Sequence, residues 1–156
     1  MKVYYFQDQE MSGMNDWLAE GLITFIRAVW EPDATWQSYM EKRRKNFQEN
    51  PYAVEGGMPI ALLVDGERVV GHVASIPCKV WAHGKESLMY WNAGLHLLDE
   101  CRGKGLGDIL PKKMMEELPL VSGFFVIEQQ LRTHTKMGWT IVGKIPEYIK
   151  VLNPRK

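Results

Sequence analysis

Six consecutive residues, Arg102, Gly103, Lys104, Gly105, Leu106 and Gly107, constrain this chain more than any other stretch. They follow Leu88 to Leu98, an apolar and aromatic run that suits a strand entering a core. They precede Ile109, Leu110, Met114, Met115 and Leu118, which share one face of a helix at 3.6-residue spacing. Alternate glycines keep side chains out of the way, so backbone N–H groups can close on a bound group. At a helix start those N–H groups lack intrahelical partners and sit at the positive end of the dipole, which suits a phosphate. Arg102 and Lys104 add to that field. The pattern reads as a diphosphate cradle between strand and helix, with a simple chain-reversing turn as the plainer alternative.

Spacing narrows the choice of cradle. A P-loop needs Gly, four residues, then Gly-Lys-Ser/Thr, and no such string occurs. A dinucleotide fingerprint needs a third glycine where this chain has Asp108 or Leu110. Arg-x-x-Gly-x-Gly remains, with Arg102, Gly105 and Gly107 at its fixed positions.

At 156 residues the chain suits a single domain, 1–156, large enough for a full core. Its 19 basic and 19 acidic side chains cancel, which gives no electrostatic case for nucleic acid or an anionic membrane. The basic run Lys42-Arg43-Arg44-Lys45 reads as the solvated face of a helix. There is no apolar stretch of about 18 residues and no signal pattern at the start. Cys78 and Cys101 lie far apart without metal-ligand company, so the expectation is a reduced, cytoplasmic protein with no metal site.

Along the chain, Val3 to Phe6 is a short strand. Trp17, Leu18, Leu22, Phe25, Ile26 and Val29 mark an amphipathic helix, with Asn15 as candidate N-cap and Pro32 beyond its end. A second helix is expected from about Thr35 to Gln48. Ile60 to Val64 and Arg68 to Ile76 flank Asp65-Gly66, a hairpin signal, and a turn at Ala82 to Lys85 returns the long strand into Leu88 to Leu98. Further strands are expected at Phe124 to Ile127, Trp139 to Val142 and Glu147 to Leu152, with a short helix over Glu128 to Met137 ended by Gly138. Pro111 conflicts with a helix beginning in the loop, so a late start or a kink near Gly107 is expected.

These strings resemble the GNAT acetyltransferase superfamily. Val69-Val70-Gly71-His72-Val73 resembles its third strand, Leu95 to Gly107 its fourth strand and loop, and Lys136-Met137-Gly138-Trp139 the string before its sixth strand. The likeness covers about residues 58 to 152, and the abrupt end leaves open that the chain is part of a longer protein. The resemblance implies a mixed α/β fold: a central, mostly antiparallel sheet with splayed fourth and fifth strands, flanked by about four helices. It implies acetyl-CoA as acyl donor, with pantetheine along the backbone at Leu97 and Leu98. The pyrophosphate would lie on Arg102, Gly103, Lys104, Gly105, Leu106 and Gly107.

The implied activity is direct transfer of an acetyl group to a primary amine, on a small molecule or a peptide, with oligomeric state unassigned and a homodimer left open. The family's usual acid is a tyrosine where this chain has His134, and many relatives carry an acid on the fourth strand where it has Gly94. His134 is therefore the candidate acid and His96 the candidate base, with His72 holding a similar claim and Glu100 judged too near the pyrophosphate. The rival readings are a non-catalytic acyl-CoA-binding module and an acyltransferase that uses another acyl donor. Trp30, Trp36 and Tyr39 fall in the segment that covers the acceptor pocket in relatives.

Overall fold

The structure is a computed structural model that describes residues 1–7, 11, 13–48, 50, 58–123 and 128–143. Its centre is β2 (Ile60–Asp65), buried from Ile60 to Val64 because helices cover both faces of the sheet there. β1 (Lys2–Phe6) pairs antiparallel with β2 from Lys2↔Val64 to Phe6↔Ile60. β3 (Arg68–Ala82) and β4 (Lys85–Leu97) continue the meander. β5 (Val121–Gly123) then pairs parallel with Tyr90–Asn92 of β4. The order is β1-β2-β3-β4-β5, so the expected mostly antiparallel mixed α/β sheet is what the chain forms.

On one face lies α1 (Asp16–Val29), whose Leu18, Leu22, Phe25 and Ile26 recur at helical spacing and are buried. Asn15 occupies the N-cap position, but its carbonyl rather than its side chain takes the first helical bonds. α2 (Trp36–Gln48) starts with a reciprocal cap: the Ser38 N–H donates to Thr35 Oγ1 at 3.1 Å, and the Thr35 N–H to Ser38 Oγ at 2.9 Å. On the other face, α3 (Ile109–Glu117) buries Leu110 and Met114. Pro111 is its third residue, where an N–H has no intrahelical partner, so the late start removes the conflict. α4 (Glu128–Lys136) ends in a Schellman motif: Trp139 N–H reaches His134 O and Gly138 N–H reaches Thr135 O, with Gly138 at φ +90°. Among the described residues no helix is long and apolar enough to cross a membrane.

Several expectations are corrected. Arg43 is buried rather than solvated, its guanidinium donating to the Met58 carbonyl, while Lys42, Arg44 and Lys45 stay exposed. A strand is present at Val121–Gly123, while the expected strand at Phe124 to Ile127 falls outside the described residues. Residues 139–143 carry no strand, and Glu147 to Leu152 also falls outside the described residues. The first hairpin turns one residue later than Asp65-Gly66: Asp65 still pairs with Arg68, and Gly66 alone takes positive φ. At the second, His83 and Gly84 have φ of +51° and +74°, as a type I′ turn requires.

β3 extends well past the end of its pairing with β2. Beyond Ala74 its β2-facing edge is closed by other means: Ser75 N–H donates to Pro59 O, Pro77 has no N–H, and Asn50 Nδ2 donates to the Pro77 carbonyl at 2.8 Å. Nearer the start of the strand, Gly71 packs so closely that a Cβ there would lie 2.6 Å from Leu97 Cδ2 and 3.2 Å from both Leu110 Cδ1 and Leu63 Cβ. Gly71→Ala should therefore lose about 1–3 kcal/mol of stability by overpacking. Denaturant unfolding of Gly71→Ala and of Gly71→Ala with Leu97→Ala checks this: the second change should recover part of the loss.

Candidate functional site

The site begins with one irregularity in β4. Opposite β3, His72 pairs with His96 but Ala74 pairs with Ala93, so β4 carries an extra residue between them. Gly94 takes that bulge with φ +62°, a left-handed conformation that non-glycine residues adopt only at a cost. An ideal Cβ on Gly94 would sit 3.4 Å from the Trp30 indole and 3.6 Å from the His72 ring. The neighbours leave ordinary contact distances, so it is the left-handed backbone that makes a side chain, a carboxylate included, costly at this residue.

The bulge aims the Gly94 carbonyl at His72. His72 Nδ1 lies 3.0 Å from that oxygen, and because a carbonyl only accepts, Nδ1 carries the proton and Nε2 the lone pair. His72 is buried, and among the described residues its Nε2 has no hydrogen-bond partner. Burial is the main force that lowers its pKa from 6.5 to about 4; the Gly94 bond opposes it, while the Arg43 charge and His96 add to it. The imidazole is neutral.

His96, directly across, has the same tautomer for another reason. Arg102 Nη2 lies 2.8 Å from His96 Nε2, and a guanidinium only donates. Burial first, then the Arg102 charge, holds His96 below its ordinary value, with Asp99 opposing. Phe25 of α1 and Trp30, which caps its C-terminal end, roof both rings: Trp30 stands edge-on at 5.4 Å from His72 and 5.7 Å from His96, Phe25 at 6.2 and 6.3 Å. Trp30 is exposed, as is Gly94, so this side of the two imidazoles borders solvent.

At the end of β4, Leu98 N–H bonds Val70 O and Leu98 O accepts from Cys101 N–H. Leu98 is thus committed inward. By strand alternation Leu97 presents its N–H and C=O at the opposite edge. A short 3₁₀ turn at Asp99–Cys101 leads into the loop. Gly103 and Gly105 both have φ +73°, and a Cβ on Gly103, Gly105 or Gly107 would meet nothing within 4 Å, so the loop backbone is open. Asp108, the N-cap of α3, makes no side-chain cap bond and pairs instead with Lys112. Lys104 is exposed. Arg102 turns back: besides His96, its Nε donates to Leu97 O at 3.3 Å and its Nη1 pairs with Asp99 at 3.0 Å. Glu100 pairs with Arg68 at 2.7 Å.

The structure brings His96 and the loop's Arg102 together. His134 lies apart. It is buried at the end of α4, its Nδ1 donating to Gln130 O at 2.6 Å and its ring edge-on to Trp139 at 4.4 Å. Trp139 Nε1 in turn donates to Met115 Sδ of α3 at 2.9 Å. Among the described residues no hydrogen bond or ring contact joins His134 to His96. Sequence reasoning missed the Gly94 carbonyl as the group that orients His72, and Phe25 as part of the roof. Gly94 itself, a glycine inside a strand pattern, was the available signal for a bulge. Trp36 and Tyr39 pack on each other at 6.1 Å within α2.

A meander of four antiparallel strands, a parallel fifth, and a glycine loop feeding the helix after the fourth is the fold of the GNAT acetyltransferases, and this chain has that fold. No known family's sequence pattern matches the chain, and no curated protein sequence does. Solved structures do. An acetyltransferase of Trypanosoma brucei superposes with a TM-score of 0.62 at 12% identity, over 96% of this chain and 99% of that one. The aminoglycoside N-acetyltransferase AAC(6′)-Iy, solved with CoA, gives 0.62 at 12%, over 96% and 95%. A GCN5-related N-acetyltransferase from Ralstonia eutropha JMP134 gives 0.57 at 12%, over 95% and 97%.

The lowered pKa of His72 makes stability depend on pH. The unfolded chain takes the proton near pH 6.5 and the folded chain near 4, so stability falls as pH drops across that window and levels off below it. At about 1.36 kcal/mol per pH unit the loss is about 3 kcal/mol. Urea unfolding of wild type and His72→Gln between those limits should show the slope flattening in the variant.

Proposed function

We propose that this chain is an acetyl-CoA-dependent N-acetyltransferase acting on a primary amine, on a small molecule or a peptide, by direct attack. The observation that carries this is one continuous run. An outward-facing strand edge at Leu97, two left-handed glycines at 103 and 105, and a helix start without a side-chain cap follow each other within a dozen residues. The open backbone of Gly103, Gly105, Leu106 and Gly107 fits a pyrophosphate, with Lys104 beside it and Arg102 one residue before. Leu97, and the chain turn at Leu98, would hold pantetheine. Acetyl-CoA supplies an acyl group already activated as a thioester. The fold it shares with enzymes named as acetyltransferases, one solved with CoA and named for an aminoglycoside acceptor, supports an amine as the other substrate.

The protein's part is then proton management and positioning. An alkylammonium of pKa near 10.4 must lose a proton, about 4–5 kcal/mol at pH 7. Two neutral imidazoles, His96 and His72, stand under one aromatic roof with their lone pairs on Nε2. His96 is the base of this proposal, and His72 lines the pocket beside it. A strand N–H at the outer edge is placed to stabilise developing negative charge on the acyl oxygen. His134 is the group proposed to return a proton to the departing sulfur; since its Nδ1–H is held by Gln130 O, it would do so as an imidazolium, from a second proton on Nε2.

One observation favours the second reading, an acyl-CoA-binding module: His134 also completes the helix cap through its contact with Trp139, which accounts for it without chemistry. Calorimetry with acetyl-CoA, followed by a thiol-release assay over an amine panel, separates the two. Binding with amine-dependent thiol release is expected; binding without any release establishes the module instead. Lys104→Glu should weaken CoA affinity about tenfold at low ionic strength, with the gap narrowing as salt rises. His134→Ala should lower kcat while leaving CoA affinity within about twofold, a split that a capping role alone would not produce.

A further inference from the structure

We infer that Arg102 is a latch on His96, holding the imidazole nitrogen that would take the acceptor's proton until a diphosphate on the glycine loop draws the guanidinium away. This rests on the acetyl-CoA reading and adds an order to it. Three contacts define the closed latch: Nη2 to His96 Nε2 at 2.8 Å, Nε to Leu97 O at 3.3 Å, and Nη1 to Asp99 Oδ1 at 3.0 Å. One side chain thus covers the proposed base and also the outer-edge carbonyl along which pantetheine would run.

Magnitudes favour exchange. The Asp99 side chain is 86% exposed and that of Arg102 54%, so water screens their ion pair. The bond to Leu97 is longer than the usual N–H···O range. The bond to His96 is a single one, from a charged donor to a neutral acceptor. A guanidinium on a phosphate makes two parallel charge-assisted bonds, each roughly twice as strong as a neutral one. Arg102 immediately precedes Gly103, so its side chain reaches the loop amides by rotation about its own bonds.

Opening the latch changes His96 chemically. The charged and titratable groups around it are Arg102 from the loop, Asp99 from the 3₁₀ turn and His72 from β3, with Arg43 of α2 acting on His72 behind it; Phe25 from α1 and Trp30 at its C-terminal end are uncharged. With Arg102 gone, Nε2 loses a donor and a neighbouring positive charge, and Asp99 remains. His96 becomes the stronger base only once the donor is seated. Arg102 is on this account a positioning residue.

Ring-nitrogen NMR of ¹⁵N-histidine-labelled protein tests it, with CoA as the probe. In wild type without CoA, His96 should titrate below the ordinary histidine range; saturating CoA should raise its midpoint by about one pH unit or more. Arg102→Met should titrate without CoA much as CoA-loaded wild type does, and should then respond little to CoA. If CoA shifts the amides of Gly103, Gly105 and Gly107 while His96 keeps its midpoint, the latch is overturned and the cradle stands. An unchanged midpoint in Arg102→Met overturns the latch without reference to CoA. If CoA moves neither the loop amides nor His96, cradle and latch fall together.

Discussion

The hydrogen bond from His72 to the Gly94 carbonyl depends on a backbone that only glycine adopts cheaply, and much else depends on that bond. The bulge turns one carbonyl of β4 out of the ladder, and His72 Nδ1 closes on it. Without it a buried imidazole would stand unbonded on both nitrogens, at a cost of about 1–3 kcal/mol for each unmet group. A side chain at Gly94 would add left-handed strain of roughly 1–2 kcal/mol. One residue thus sets the tautomer of His72.

A chain with no net charge places two cations beside the paired imidazoles. Arg43 is buried against the Met58 carbonyl behind His72, and Arg102 is folded onto His96 in front. Both cations act on the imidazoles in the same direction as burial does, keeping them neutral. Arg43 is held by the Met58 carbonyl, while Arg102 is shared between His96, the Leu97 carbonyl and Asp99.

The sequence was legible where local rules agree with the fold. Helical spacing located α1, the turn signals at Asp65-Gly66 and Ala82 to Lys85 located the meander to within a residue, and the glycine string located the loop and the start of α3. It was less legible where contacts distant in sequence decide. Arg43 sits in a run of four cations, and only the arrival of the Met58 carbonyl fifteen residues later explains why it is the buried one. Val121–Gly123 is too short to announce itself and is a strand because it meets Tyr90–Asn92. At the site, His96 could be singled out from alternation along the strand. Its bond to Arg102 could not, because a loop must fold back for the two to meet. Leu97 and Leu98 illustrate the same limit: both were named, and the Leu98–Val70 bond distinguishes the one that faces outward.

The far half of β3 carries a consequence of another kind. A strand of fifteen residues outruns its neighbour β2, and a bare ladder edge of that length invites foreign strands to dock. Here proline withholds one amide, an asparagine side chain occupies the matching oxygen, and Lys79 places a charge two residues further on. That edge of β3 therefore offers a foreign strand little to pair with.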